Sequence, residues 1–168
     1  MNPDDGTWRY EWPAGARFLP EIADLVEVSG KRVIDLGCGR GRLGTWALAA
    51  GAAEVLFADR SAEALAAIDP GPGVRHLVHV WGEMLPPCEV LLGGDILYLP
   101  PIFPSLLDSI ASALRPASVA WLVDPRTRLE PELPILAAER GLAWAAERRL
   151  AGYTVVRVTP LACGTADV

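Results

Sequence analysis

A glycine cluster flanked by acids is the part of this chain best suited to chemistry. Asp35-Leu36-Gly37-Cys38-Gly39-Arg40-Gly41 follows a short apolar run and precedes a helical one. In a strand-to-helix turn, glycines let the backbone bend sharply and let a ligand approach the main chain. The dinucleotide fingerprint is G-x-G-x-x-G, but here the third glycine comes one place early, at Gly41, and Arg42 holds the expected position. A pyrophosphate wants the free amides of a helix N-terminus. The shorter turn suits a ligand without phosphates, whose amino-acid end can lie along the loop. Asp35, just before the turn, is placed to accept from an ammonium group or to orient the loop. Asp59 ends a second apolar run, twenty-two positions after Gly37, where an acid commonly binds the ribose hydroxyls of a nucleoside.

Other reactive side chains are fewer. Asp95 ends a further apolar run, and in open α/β sheets ligands bind outside the carboxyl ends of strands. Tyr98 follows three positions later, ahead of Pro100-Pro101. His76 and His79 are the only histidines. Three apart in one strand, they point to opposite faces, which argues against a shared metal site and places them at the surface or half-buried. Cys38 lacks a plausible histidine partner and reads as a small loop residue rather than a nucleophile.

The elements that must position these groups are legible from periodicity. After a polar and aromatic start, Pro13 suits the first turn of a helix, and Leu19, Ile22, Ala23, Leu25 and Val26 continue it until Ser29-Gly30. Strands are expected at 32–36, 54–59 and 74–80, around Leu91-Leu92, and at 118–123. Helices are expected at 43–50, from the N-cap Ser61 to about Ile68, and at 102–114 and 131–140. Leu142–Leu150 and Tyr153–Val158 flank Ala151-Gly152, a link so short that the pair must be antiparallel. Strands alternating with helices imply a parallel sheet with helices on both faces. Trp81–Cys88 is too short and proline-rich for a full helix, so the crossover between the third and fourth strands is expected to be trimmed.

Bulk properties narrow the setting. The 168 residues suit one domain, 1–168, and the composition, 51% hydrophobic and 21% charged, suits a sizeable core. A net charge of -6 repels phosphate backbones, which disfavours nucleic acid as a partner. Cys38, Cys88 and Cys163 are odd in number and far apart, pointing to a reducing compartment. The acidic N-terminus does not look like a secretory signal, and no apolar stretch approaches the ~18 residues of a membrane span. A cytoplasmic protein without a membrane partner is expected; the oligomeric state is not legible.

Val33-Ile34-Asp35-Leu36-Gly37-Cys38-Gly39-Arg40-Gly41 resembles the first motif of class I methyltransferases, whose Rossmann-like α/β fold has a seven-stranded sheet, mostly parallel, with an antiparallel last pair. Glu11-Trp12-Pro13-Ala14-Gly15 resembles the Trp-Pro entry of the DxxY-motif protein lysine methyltransferases, and Gly94-Asp95-Ile96-Leu97-Tyr98 matches the DxxY motif. Gly51-Ala52 and Trp81 are also similar to that group, which includes the electron-transfer flavoprotein β-subunit lysine methyltransferases. The resemblance implies an S-adenosylmethionine-dependent enzyme that N-methylates a protein lysine, with a small-molecule acceptor or a non-catalytic binding module as alternatives. It implies Asp95 and Tyr98 at the acceptor side. It implies a cofactor site from Trp12, Asp35, Gly37, Cys38, Gly39, Gly41, Asp59, Arg60, Trp81, Gly82 and Gly94, no metal, and residues 1–30 as a helical segment capping the cleft. Ile96-Leu97 stand where methyltransferases of planar nitrogens usually carry two prolines, so adenine and glutamine acceptors lose support.

Overall fold

The computed structural model describes residues 6–10, 19, 22–124, 131–150 and 153–162. Trp12, Pro13, the Ala151-Gly152 link and Cys163 lie outside them, as does most of the expected first helix. Ile22 and Val26, from the end of that helical run, are buried in the core.

Seven strands form one sheet in the order β3-β2-β1-β4-β5-β7-β6. They are β1 (Arg32–Leu36), β2 (Glu54–Asp59), β3 (Val74–Val78), β4 (Val90–Gly94), β5 (Val119–Asp124), β6 (Leu142–Leu150) and β7 (Tyr153–Pro160). The first five run parallel. β7 is antiparallel to both β5 and β6, with an irregularity in register between Ala146 and Arg148. The helices are α1 (Arg42–Ala49), α2 (Ala62–Ala66), α3 (Phe103–Ala113) and α4 (Glu132–Ala138). This is the mostly parallel sheet with an antiparallel last pair that the strand–helix rhythm and the two-residue link implied, and the Rossmann-like α/β arrangement that the motif's resemblance implied.

Alternation along the strands divides the core in two. Ile34, Leu36 and Leu91 face the layer of α3 and α4, where Leu106, Leu107, Ile110 and Leu133 pack. Val33, Val90, Leu92 and Phe57 face the layer that holds α1, with Leu43, Ala47, Ile22 and Val26. The chain leaves β3 for β4 without a helix between residues 79 and 89. Hydroxyls of α3 hold this trimmed crossover instead: Ser109 Oγ accepts from Gly82 N at 2.8 Å and Ser112 Oγ from Leu85 N at 2.9 Å.

Two expectations are corrected here. β3 ends at Val78 rather than Val80, because the chain turns where Glu83 Oε2 accepts from Val80 N and Gly82 takes φ 96°. His79 therefore lies beyond the strand, and it is buried rather than at the surface or half-buried. Its Nε2 lies 3.1 Å from the Glu83 carbonyl, and desolvation holds its pKa below the usual histidine value. His76 stays in β3, exposed, edge-on to Phe57.

Candidate functional site

β1 and β4 are sheet neighbours although β2 and β3 separate them in sequence. The strand order reverses between them, which opens a crevice at their carboxyl ends. The Gly37–Gly41 turn leaves β1 there, and Gly94-Asp95 leaves β4 beside it. Gly37, Gly39 and Gly41 take φ of 66°, 50° and 71°, a left-handed run that side chains would resist.

The turn's amides are largely satisfied within the protein. Gly37 N and Cys38 N donate to the Ala58 carbonyl, Gly41 N to the Cys38 carbonyl, and Gly39 N to Asp59 Oδ2 at 2.8 Å. Few amides are thus left for a phosphate, which agrees with a ligand that carries none. Asp59 Oδ1 also accepts from Ser61 N at 2.9 Å, and Ser61 in turn caps α2 through Ala64 N.

Asp35 orients the loop. Its buried Oδ2 accepts from Gly44 N, in the first turn of α1, at 2.7 Å. Burial pushes its pKa up to about 7, with the Gly44 amide opposing and the charge of Asp59 adding to the rise. Burial likewise raises the Cys38 thiol well above the usual range, so no thiolate is ready for attack. Gly44, which the sequence reading passed over, lets α1 approach β2: a Cβ there would stand 2.3 Å from Phe57 Cε1. A lone glycine inside a helical run, where it costs about 1 kcal/mol, was the available signal.

A cleft of 660 Å³ opens beside the turn, lined by Asp35, Gly37, Cys38, Gly39 and Gly94 of the predicted set. Tyr10, Leu19, Arg40, Arg42 and Trp46 also line it. Its size suits a small organic ligand. Gly37 and Gly39 leave room along the turn, with Asp35 before it and Asp59 on the Gly39 amide, an arrangement that fits a nucleoside joined to an amino acid. Gly41 instead serves the fold, since a Cβ there would press on Ile68 and Phe57. Trp81 and Ile96 close over Gly37, where a Cβ would lie 3.1 and 2.8 Å from them, and Trp81 packs edge-on to His79. Gly41, Asp59, Arg60, Trp81 and Gly82 of the predicted set are not part of this lining. Asp95 is buried with φ 57°, its amide donating to the Val123 carbonyl at 2.9 Å. Tyr98 is exposed.

Residues 6–10 entered the sequence reading only as part of the capping segment, with none of them singled out. Gly39 meets the Trp8 main chain, and Arg9 reaches Glu63 of α2 at 2.9 Å. The aromatic spacing Trp8, Tyr10, Trp12 was the only hint.

The sheet order and the glycine turn define the class I methyltransferase type of fold. The family model described as the methyltransferase small domain matches residues 12–71. A ribosomal protein L11 methyltransferase from Stenotrophomonas maltophilia is 36% identical over 101 residues, which cover 58% of this chain and 32% of that protein. The chain thus spans about a third of that relative's length. Among solved structures, an S-adenosylmethionine-dependent methyltransferase from Mesorhizobium loti superposes with a TM-score of 0.73 at 16% identity, over 87% of this chain and 98% of that one. A T. thermophilus 16S rRNA N2 G1207 methyltransferase, solved with AdoMet and guanosine, gives 0.71 at 19%, over 92% and 45%.

Proposed function

We propose that this chain is an S-adenosylmethionine-dependent methyltransferase that N-methylates a protein lysine. The observation that carries the cofactor reading is the Gly37–Gly41 turn, tied to Asp59 through Gly39 N and to α1 through Asp35, opening on a cleft at the sheet's switch point. In this reading the turn and Asp35 hold the amino-acid end of the cofactor and Asp59 the ribose. Trp81 and Gly82 stand near the base, Trp12 and Arg60 are further cofactor contacts, and residues 1–30 cap the site within one domain. The bound cofactor supplies an electrophilic methyl group on a sulfonium. What remains for the protein is position and electrostatics.

A lysine has a reference pKa of ~10.4, so at neutral pH delivering the neutral amine costs roughly 5 kcal/mol. An ionised Asp95 stabilises the ammonium and does not lower that pKa. Asp95 and Tyr98 therefore orient the nitrogen, and desolvation beside the cationic sulfonium releases the proton to water. The named acceptor of the S. maltophilia relative, a ribosomal protein, supports a protein acceptor here. The acidic charge of the chain counts against nucleic acid, yet a protein of the same fold acts on rRNA, so charge does not exclude an RNA acceptor. Among the described residues no helix is long and apolar enough to cross a membrane, in keeping with a proposed cytoplasmic setting.

Tritiated S-adenosylmethionine with a cell lysate tests the reading. Label in a protein band, lost when the acceptor lysine is replaced, is expected. Label in small solutes or RNA replaces the acceptor class. Tight binding without transfer leaves a binding module.

A further inference from the structure

Trp8 stands in a single 3₁₀ turn, Thr7–Arg9, on the tip of the glycine loop. Its carbonyl oxygen and Cα lie 3.9 and 4.0 Å from where a Gly39 Cβ would stand. The Arg9 guanidinium sits over the Trp8 ring, 5.3 Å from its centroid, and the Arg9–Glu63 ion pair ties the arm to α2. Tyr10, the next residue, lines the cleft. The arm thus passes from α2 across the turn to the cleft mouth.

Within it, the Trp8 indole Nε1 is buried without a hydrogen-bond partner among the described residues. Buried donors left unpaired are rare in native proteins and ask for an explanation. The nearby Asp59 carboxylate is held in place by the amides of Gly39 and Ser61 and makes no hydrogen bond to this indole. We propose that Trp8 is a ligand-binding residue whose indole N–H donates to an oxygen of the bound cofactor, and that residues 6–10 form one wall of its pocket. This inference rests on the cofactor reading above. The ligand offers acceptors of two kinds, ribose hydroxyls and carboxylate oxygens, and an indole N–H serves either.

Calorimetry with S-adenosylhomocysteine tests it. Trp8→Phe keeps a ring beneath Arg9 and deletes the N–H. Affinity should fall about five- to tenfold, the worth of one hydrogen bond, while the thermal midpoint of the ligand-free protein stays equal or rises. The same loss for adenosine puts the acceptor on the ribose, and a loss confined to S-adenosylhomocysteine puts it on the carboxylate; both support the assignment. Unchanged affinity overturns it, and with a lowered midpoint it makes Trp8 a packing residue. Should Trp8→Phe fail to fold, Glu63→Gln unties Arg9 at the surface. Affinity should then fall about two- to fivefold with the loss of an exposed ion pair that positions the arm, and unchanged affinity overturns the arm's role. Failure of the wild type to bind S-adenosylhomocysteine overturns the cofactor reading itself, a result distinct from wild-type binding that Trp8→Phe leaves intact.

Discussion

The carboxyl ends of β1 and β4 lie side by side, yet they are built in opposite ways. After β1, glycines take the left-handed conformations, and most of the loop's amides and Asp35 have partners within the protein. After β4, a non-glycine residue, Asp95, takes φ 57° while buried. For a side-chain residue that conformation costs on the order of 1 kcal/mol. The first end is a relaxed cradle. The second carries a buried carboxyl on a left-handed backbone, the end to which the proposed function assigns the acceptor.

The largest expected effect concerns the acid at the first end. The pKa of Asp35 is raised from the usual 3.8 to about 7, so the folded state binds more protons than the unfolded one between those values. Its contribution is present in full below about pH 4 and is lost as pH rises through 7, a fall of about 4 kcal/mol. Asp35→Asn, which keeps an oxygen for Gly44 N, should flatten that part of the slope in denaturant unfolding of the ligand-free protein. Equal slopes in both proteins would refute the assignment.

Next comes the close approach behind the cradle. Gly44→Ala places a Cβ against Phe57 and should destabilise by about 1–3 kcal/mol, while weakening S-adenosylhomocysteine binding through a displaced α1. A neutral substitution would mean that α1 shifts freely.

At the other end, Asp95→Asn and Tyr98→Phe should slow transfer about ten- to a hundredfold, ~1.4–2.7 kcal/mol. Affinity for S-adenosylhomocysteine should stay nearly unchanged, since the acceptor is absent from that complex. Lost affinity with turnover kept at saturation would move both residues to the cofactor site. The smallest effect sharpens the strain argument. Ala117, in the turn before β5, also has a positive φ, 72°. Ala117→Gly should stabilise by about 1 kcal/mol with turnover unchanged, whereas Asp95→Gly should lose turnover.

The same contrast governs what could be read from residues alone. β1 and β2 run from Arg32 to Leu36 and from Glu54 to Asp59, as expected, because short apolar runs ended by glycine or acid leave little freedom. The antiparallel β6–β7 pair followed from a two-residue link. The end of β3 did not: Val80 continues the apolar pattern, and the bond from its amide to Glu83 has no periodic signature. Burial of His79 depends on the same turn. The docking of Trp8 and the closeness of Gly44 to Phe57 are tertiary contacts between segments far apart in the chain, and no local spacing encodes them.

The central claim is that the glycine turn and Asp59 form a cradle for the cofactor. Calorimetry of the wild type and of Asp59→Ala against S-adenosylhomocysteine tests it most directly. One-site binding by the wild type, weakened by about 1.5–3 kcal/mol in the variant through loss of a charged acceptor, is the expected result. No binding by the wild type, or equal affinity in the two proteins, would contradict it.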